Sequence, residues 1–290
     1  MAESGPPDPR QGITLVLGGG GARGLAHAGV LRVLAGAGVS VRAVVGTSIG
    51  AEIGAFYCAG LGMERIEAMA REMDWKATLK LFWPSLDGGG LTSGRNITAY
   101  LREHLGEATF ADCDPPLRAI ATDMRRGRQV VLSEGGLVDA VRASIALPGI
   151  IAPHPLGDWL LGDGGLVNPL PVDVARAQFG GPVVAVAVHP GARTPEEDGE
   201  ADPFYDPMGD QEGPDLLENL RRAVQITQAQ LVGYRVAESP PDLTLKPVVP
   251  GMGSLEFYRG DEAFEAGVAE AREAIERLRE LATGGGDPSS

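Results

Sequence analysis

Cysteine is almost absent from this chain of 290 residues: only Cys58 and Cys113 occur, with neither metal-site spacing nor a disulfide framework around them. Both are expected to be reduced thiols. Histidine is nearly as scarce. His27, His104, His154 and His189 are scattered with no ligand spacing, so the expected chemistry uses no metal and no cofactor. Positive charge is also short: 25 Lys and Arg face 39 Asp and Glu, for a formal net charge of −14. A nucleic-acid partner is therefore excluded, because gripping a phosphate backbone needs a basic face. Strong adhesion to anionic lipid is disfavoured for the same reason, which leaves apolar or transient contact as the way to meet a membrane. No apolar run approaches the roughly 20 residues that span a bilayer. Met1 to Arg10 carries acids and prolines where a signal peptide has a basic start and an apolar block. The expected location is cytoplasmic, at most peripheral to a membrane. Oligomeric state has no signature in the sequence.

The residues that are present set out alternating strands and helices. Ile13 to Leu17 reads as a buried strand that runs through Gly18-Gly19-Gly20-Gly21-Ala22-Arg23-Gly24 into helical spacing from Leu25 to Leu34. A second β-branched strand begins at Val41, and helices follow over Ile49 to Ala59 and Met63 to Met73. Asp74 to Gly94 reads as irregular. In a chain with 5% aromatics, its crowding of Trp75, Leu79, Phe82 and Trp83 suits a lid, an acyl-contacting wall or a satellite cluster under a loop. A helix over Asn96 to Leu105 comes next, then strands at Leu117 to Thr122 and Gln129 to Leu132. A helix from Leu137 to Ile145, a short strand ending near Leu161, a helix over Asp173 to Gln178 and a strand at Val183 to Val188 complete this part.

The expected fold is α/β, a central mostly parallel sheet flanked by helices, in a single domain. Its divisions are a disordered N-terminus over 1–11, a catalytic core over 12–190 and an acidic Pro- and Gly-rich loop, or lid, over 191–215. A C-terminal part over 216–282 packs on the core, with helices over Leu216 to Ala237 and Asp261 to Leu281 around a strand at Leu243 to Leu245. A disordered tail covers 283–290.

The chemistry concentrates in a few stretches. Gly46-Thr47-Ser48-Ile49-Gly50 fits G-x-S-x-G between a strand and a helix, the frame of a sharp elbow that holds a serine hydroxyl out at the carboxyl edge of a sheet. Side chains at Gly46 or Gly50 would collide with the neighbouring strand or helix. The run Gly18 to Gly21 clears every side chain from a strand-to-helix junction, so backbone N–H groups can converge on an anion. Gly19, Gly21 and Gly24 also fit the dinucleotide fingerprint, but the acidic residue that should follow about 20 positions on is replaced by Val44, Val45 and Gly46. The remaining reading is an oxyanion site for Ser48. Arg23, set against the dipole of the helix it opens, is either a brace for the glycine loop or solvated. Asp163, delivered by a short strand into Gly164 and Gly165, is a carboxylate with nothing bulky beside it, or a hairpin turn.

Gly18 to Leu31, Gly46 to Ala51, Arg142 to Gly149 and Asp163 to Gly165, in that order, resemble the patatin-like phospholipases, the small bacterial members in particular. The resemblance spans about Ile13 to His189. It implies a three-layer α/β/α fold and a Ser-Asp dyad, Ser48 and Asp163, without a catalytic histidine. It also implies an oxyanion hole from the backbone of Gly19, Gly20 and Gly21, supported by Arg23, and a lipid ester or acyl substrate of the lysophospholipase or phospholipase A kind. Two alternatives stay open: a triad of Ser48, Asp163 and His189, and a non-catalytic regulatory or lipid-binding protein that retains the fold.

Overall fold

Strand β1 (Ile13–Leu17) is buried at every position, and its side chains alternate between two cores. Ile13, Leu15 and Leu17 belong to the larger core and Val16 to the smaller. Strand β7 (Val183–Val186) divides the same way, with Val184 and Val186 on one face and Val183 and Ala185 on the other. A sheet apolar on both faces needs helices on both, which makes a three-layer sandwich. The computed structural model describes residues 11–83, 91–189 and 216–284. Expectations placed on 1–10, 84–90, 190–215 and 285–290, the acidic loop and its role as a lid among them, lie outside the described residues.

Hydrogen-bonded neighbours in the eight-stranded sheet run β5-β6-β3-β2-β1-β7-β8, with β4 also on β3. The remaining strands are β2 (Val41–Thr47), β3 (Leu117–Asp123), β4 (Arg128–Leu132), β5 (His154–Leu156), β6 (Trp159–Asp163) and β8 (Leu243–Leu245). Pairing is parallel from β3 through β2, β1 and β7 to β8, and antiparallel among β3, β4, β5 and β6. The fold is a single domain around a mostly parallel sheet, as expected.

Among the described residues, ten helices flank the sheet. On the larger face lie α1 (Ala26–Gly36), α2 (Ile49–Cys58), α3 (Met63–Arg71), α5 (Arg95–Leu105), α6 (Leu137–Ser144), α9 (Gly260–Glu273) and α10 (Ile275–Ala282). On the smaller face, α7 (Val172–Gln178) and α8 (Leu216–Glu238) contribute Val172, Val174, Ala175 and Val232.

The structure corrects the expected elements in several places. Asp74 caps the helix α4 (Trp75–Leu81) by accepting from the Ala77 N–H at 2.7 Å, so the start of the segment read as irregular is helical. The first helix does not begin at the glycine loop. Gly21–Leu25 forms a 3-10 turn, and α1 starts at Ala26. The last helix is broken at Ala274 into α9 and α10. Strand β5, absent from the expected elements, is an antiparallel edge against β6.

Candidate active site

Ser48 sits between β2 and α2 with φ 56° and ψ −125°, the only non-glycine positive φ among the described residues. Such a conformation is costly for a residue with a Cβ and persists only where its surroundings hold it. Here both flanks hold it. A Cβ on Gly50 would overlap the Leu17 carbonyl, and one on Gly46 would overlap the Gly50 carbonyl, so only glycine lets the turn close this tightly on β1. The Ser48 N–H donates to Ser144 Oγ at 2.9 Å, and that hydroxyl in turn donates to the Ile120 carbonyl at 2.6 Å. Thr47 Oγ1, just before the elbow, donates to the Asn168 carbonyl at 2.9 Å.

The register of β3 explains how a carboxylate far along the chain arrives here. Strand β4 pairs with Ala119 to Asp123 and so occupies one edge of β3. On the other edge β2 pairs as far as Thr47 opposite Ile120, and β6, running the opposite way, ends with Asp163 opposite Ala121. Two strands meet end to end along one edge, and their terminal residues face each other. The Ser48 hydroxyl donates to Asp163 Oδ2 at 2.7 Å. The Gly165 N–H donates to Asp163 Oδ1 at 2.7 Å, and Thr122 Oγ1 donates to the Asp163 carbonyl at 2.7 Å. The carboxyl group is fixed at both oxygens. Asp-Gly-Gly is therefore not a hairpin; Gly164–Leu166 is a 3-10 turn. Burial pushes the Asp163 carboxyl up to about 6, against the opposing pull of the hydrogen bonds from Ser48 and Gly165.

The glycine loop lies across the same point. Gly19, Gly20, Gly21, Arg23, Ser48 and Asp163 line one pocket of about 960 Å³ counted out to its open mouth. The Gly19 N–H is committed to the Pro169 carbonyl at 2.9 Å, whereas the Gly20 and Gly21 N–H groups have no backbone partner among the described residues. Arg23 is buried at the base of the loop and close enough to His189 to oppose its protonation. His27 Nε2 lies 2.8 Å from the Gly18 carbonyl, and burial lowers its pKa to about 4, so the ring is a neutral brace. Among the described residues no group of three or more His, Cys, Asp or Glu gathers as a metal would require.

A patatin-like phospholipase model matches residues 15–176. The chain belongs to the patatin-like phospholipase family. One relative, an uncharacterized NTE family protein of Mycobacterium tuberculosis, is 29% identical over 337 residues, covering 94% of this chain and 93% of its own length. A longer NTE family protein of the same species is 32% identical over 280 residues, 93% of this chain and 47% of its own. Lysophospholipase nte1 of Aspergillus fumigatus is 29% identical over 283 residues, 92% of this chain but 18% of its own. The chain thus spans only part of these two longer relatives. Among solved structures, VipD from Legionella pneumophila aligns with a TM-score of 0.57 at 12% identity, over 93% of this chain and 67% of that one, a likeness of fold.

In this patatin-like chain the pocket wall beyond Ser48 is apolar, built by Leu81, Phe82, Ile97, Leu147, Ile150 and Phe257. Phe82 stacks on Phe257 with ring centroids 5.6 Å apart, which seats the end of α4 on the pocket. Glu52, one turn along α2 from Ser48, also faces the pocket, where desolvation raises its carboxyl to about 7. His189 lines the pocket too, but its ring bonds to Gln228, and its basicity is lowered by burial to about 3. Ser144, Asn168, His27 and Glu52 were not read from the sequence as site residues. Arg142-Ala143-Ser144 lies within one of the stretches that carry the family resemblance, which was the available signal for Ser144.

Proposed function

We propose that this chain is a serine acyl hydrolase acting on a lipid carboxylic ester of the lysophospholipase or phospholipase A kind. The observation that carries the reading is the 2.7 Å hydrogen bond from the strained Ser48 hydroxyl to a buried carboxylate at the base of a largely apolar pocket. Asp163 accepts the Ser48 proton as Oγ attacks the ester carbonyl. The negative charge on the tetrahedral intermediate is met by the Gly20 and Gly21 N–H groups, which have no backbone partner among the described residues, and by the positive end of α2, with Gly19 shaping the loop rather than donating. Collapse releases the alcohol, which takes the proton from Asp163. Water, deprotonated by the same carboxylate, then attacks the acyl-serine, and collapse releases the acid as Ser48 Oγ takes that proton back from Asp163.

A carboxylate of ordinary basicity would be a poor proton acceptor, so its upward shift by burial suits the role. The binding of His189 to Gln228 favours the dyad over a histidine triad. The lysophospholipase named among the relatives supports a lipid ester as substrate. Trp75 and Leu79 on α4, with Trp83 just beyond it, expose apolar surface beside the pocket wall and would touch a lipid surface transiently.

The test is labelling of purified protein with a fluorophosphonate, together with hydrolysis of a lysophospholipid. Stoichiometric modification at Ser48, and loss of turnover in Ser48→Ala and Asp163→Asn with the fold intact, are expected. Absence of labelling would favour a lipid-binding protein without catalysis. Full activity in Asp163→Asn would end the dyad.

A further inference from the structure

The pocket is not apolar all round. On the Asp163 side of Ser48, α8 contributes Gln225 and Gln228, spaced three apart on one helix face. Gln228 is close to the carboxylate: a Cβ added to Gly165 would strike the Gln228 amide and lie 2.9 Å from Asp163 Oδ1. Gln225 is only 6% exposed, yet neither its Oε1 nor its Nε2 has a hydrogen-bond partner among the described residues. Nδ1 of His189, in a ring 3% exposed, is also without one among the described residues. A buried polar group left unpaired is costly, so an amide in this position is a burden on the fold unless something else satisfies it. An amide presents donor and acceptor side by side. A phosphate would satisfy only the donor and an ammonium only the acceptor, whereas a hydroxyl both gives and receives.

We infer that Gln225, with Gln228 and His189 beside it, forms a subsite for the hydroxyl groups on the alcohol half of the substrate, a glycerol-type polyol. Assigning that polyol as the leaving group rests on the hydrolase reading above. The apolar wall takes the acyl chain and the α8 side takes the alcohol, with Ser48 and Asp163 at the junction. Esters of simple monohydric alcohols would fill the acyl arm but leave the Gln225 amide unpaired, and the site would discriminate against them.

Ether analogues test this without any hydrolysis. Binding of 1-O-octylglycerol and of octyl methyl ether to the full chain is measured by titration calorimetry, for the native protein and for Gln225→Leu and Gln225→Met. The glycerol ether is expected to bind the native protein roughly 10-fold more tightly, and the preference to fall to within about 2-fold in both variants. Their melting temperatures should hold or rise, because an unpaired amide has been removed, whereas a structural role for Gln225 would lower them. A preference that survives in both variants, or no preference in the native protein, overturns the proposal. Octylglycerol 3-phosphate distinguishes the source of the polyol: tighter binding than octylglycerol points to a lysophospholipid, and weaker binding that still exceeds the methyl ether points to a monoacylglycerol. Fluorophosphonate labelling is read separately. If Ser48 stays unlabelled while the polyol preference holds, hydrolysis fails and the subsite stands.

Discussion

At the scale of single residues, the proposed role of Asp163 would tie activity to pH and set it against stability. With its carboxyl raised to about 6, turnover should fall as pH drops through 6 and the base is protonated, which a pH profile of kcat/KM on a short-chain ester would record. The stability effect has the opposite sign. A carboxyl whose pKa is higher folded than unfolded favours the native state below the ordinary value of 3.8, and that benefit is lost as pH rises through about 6. Asp163→Asn should therefore be inactive yet melt higher than the native protein at pH 8, by up to about 3 kcal/mol, with the gap closing by pH 4 in paired thermal melts. Glu52 predicts a second limb. Its carboxyl, raised to about 7 by desolvation, ionises within the acyl arm, so kcat/KM on long-chain esters should decline above pH 7 in the native protein and stay level in Glu52→Gln. Ser48 and Asp163 were legible as residues because each stands in a glycine-framed motif. Ser144 and His27 were not, since what they do is hydrogen-bond to backbone that only folding brings near; nor was Asn168, whose carbonyl accepts from the distant Thr47 hydroxyl.

At the scale of elements, the tight approach of α9 to α1 is the packing on which the C-terminal part depends. A Cβ on Gly267 would overlap the Ala26 carbonyl, and one on Gly29 would overlap the Phe264 carbonyl, so each helix reserves a glycine for the other's backbone. Gly267→Ala is expected to destabilise by about 1–3 kcal/mol in urea denaturation. Gly233→Ala, inside α8 with open space around it, should stabilise by about 0.5–1 kcal/mol in the same assay. Most strands and helices of the core were readable from apolar period and turn residues. Two of the exceptions have local causes, since Asp74 nucleates α4 through a cap and the 3-10 turn at Gly21–Leu25 delays α1, whereas the α9–α10 break falls at Ala274, where no breaker residue stands.

At the scale of the whole molecule, a formal charge of −14 and an exposed aromatic edge pull in different directions at a lipid surface. Trp75 and Trp83 are 60% and 59% exposed beside the pocket wall, and among the described residues no helix is long and apolar enough to cross a membrane. Replacing both tryptophans by alanine is expected to lower hydrolysis of vesicle-borne lipid several-fold while leaving a soluble p-nitrophenyl ester unchanged; an equal loss on both would argue against interfacial contact. Anionic vesicles should be poorer substrates than zwitterionic ones at low salt, with the difference shrinking as salt screens the repulsion.

The sequence by itself determined which residues are candidates for the chemistry, the order of the core elements and the sign of the net charge, because these depend on residue type and local spacing. Tertiary structure alone decided that β2 and β6 end against each other along one edge of β3, which joins Ser48 to Asp163 across 115 positions. It also brought the amides of α8 to the far side of the same pocket. Strand register and helix docking are settled by which distant surfaces bury each other best, and no local pattern encodes that choice.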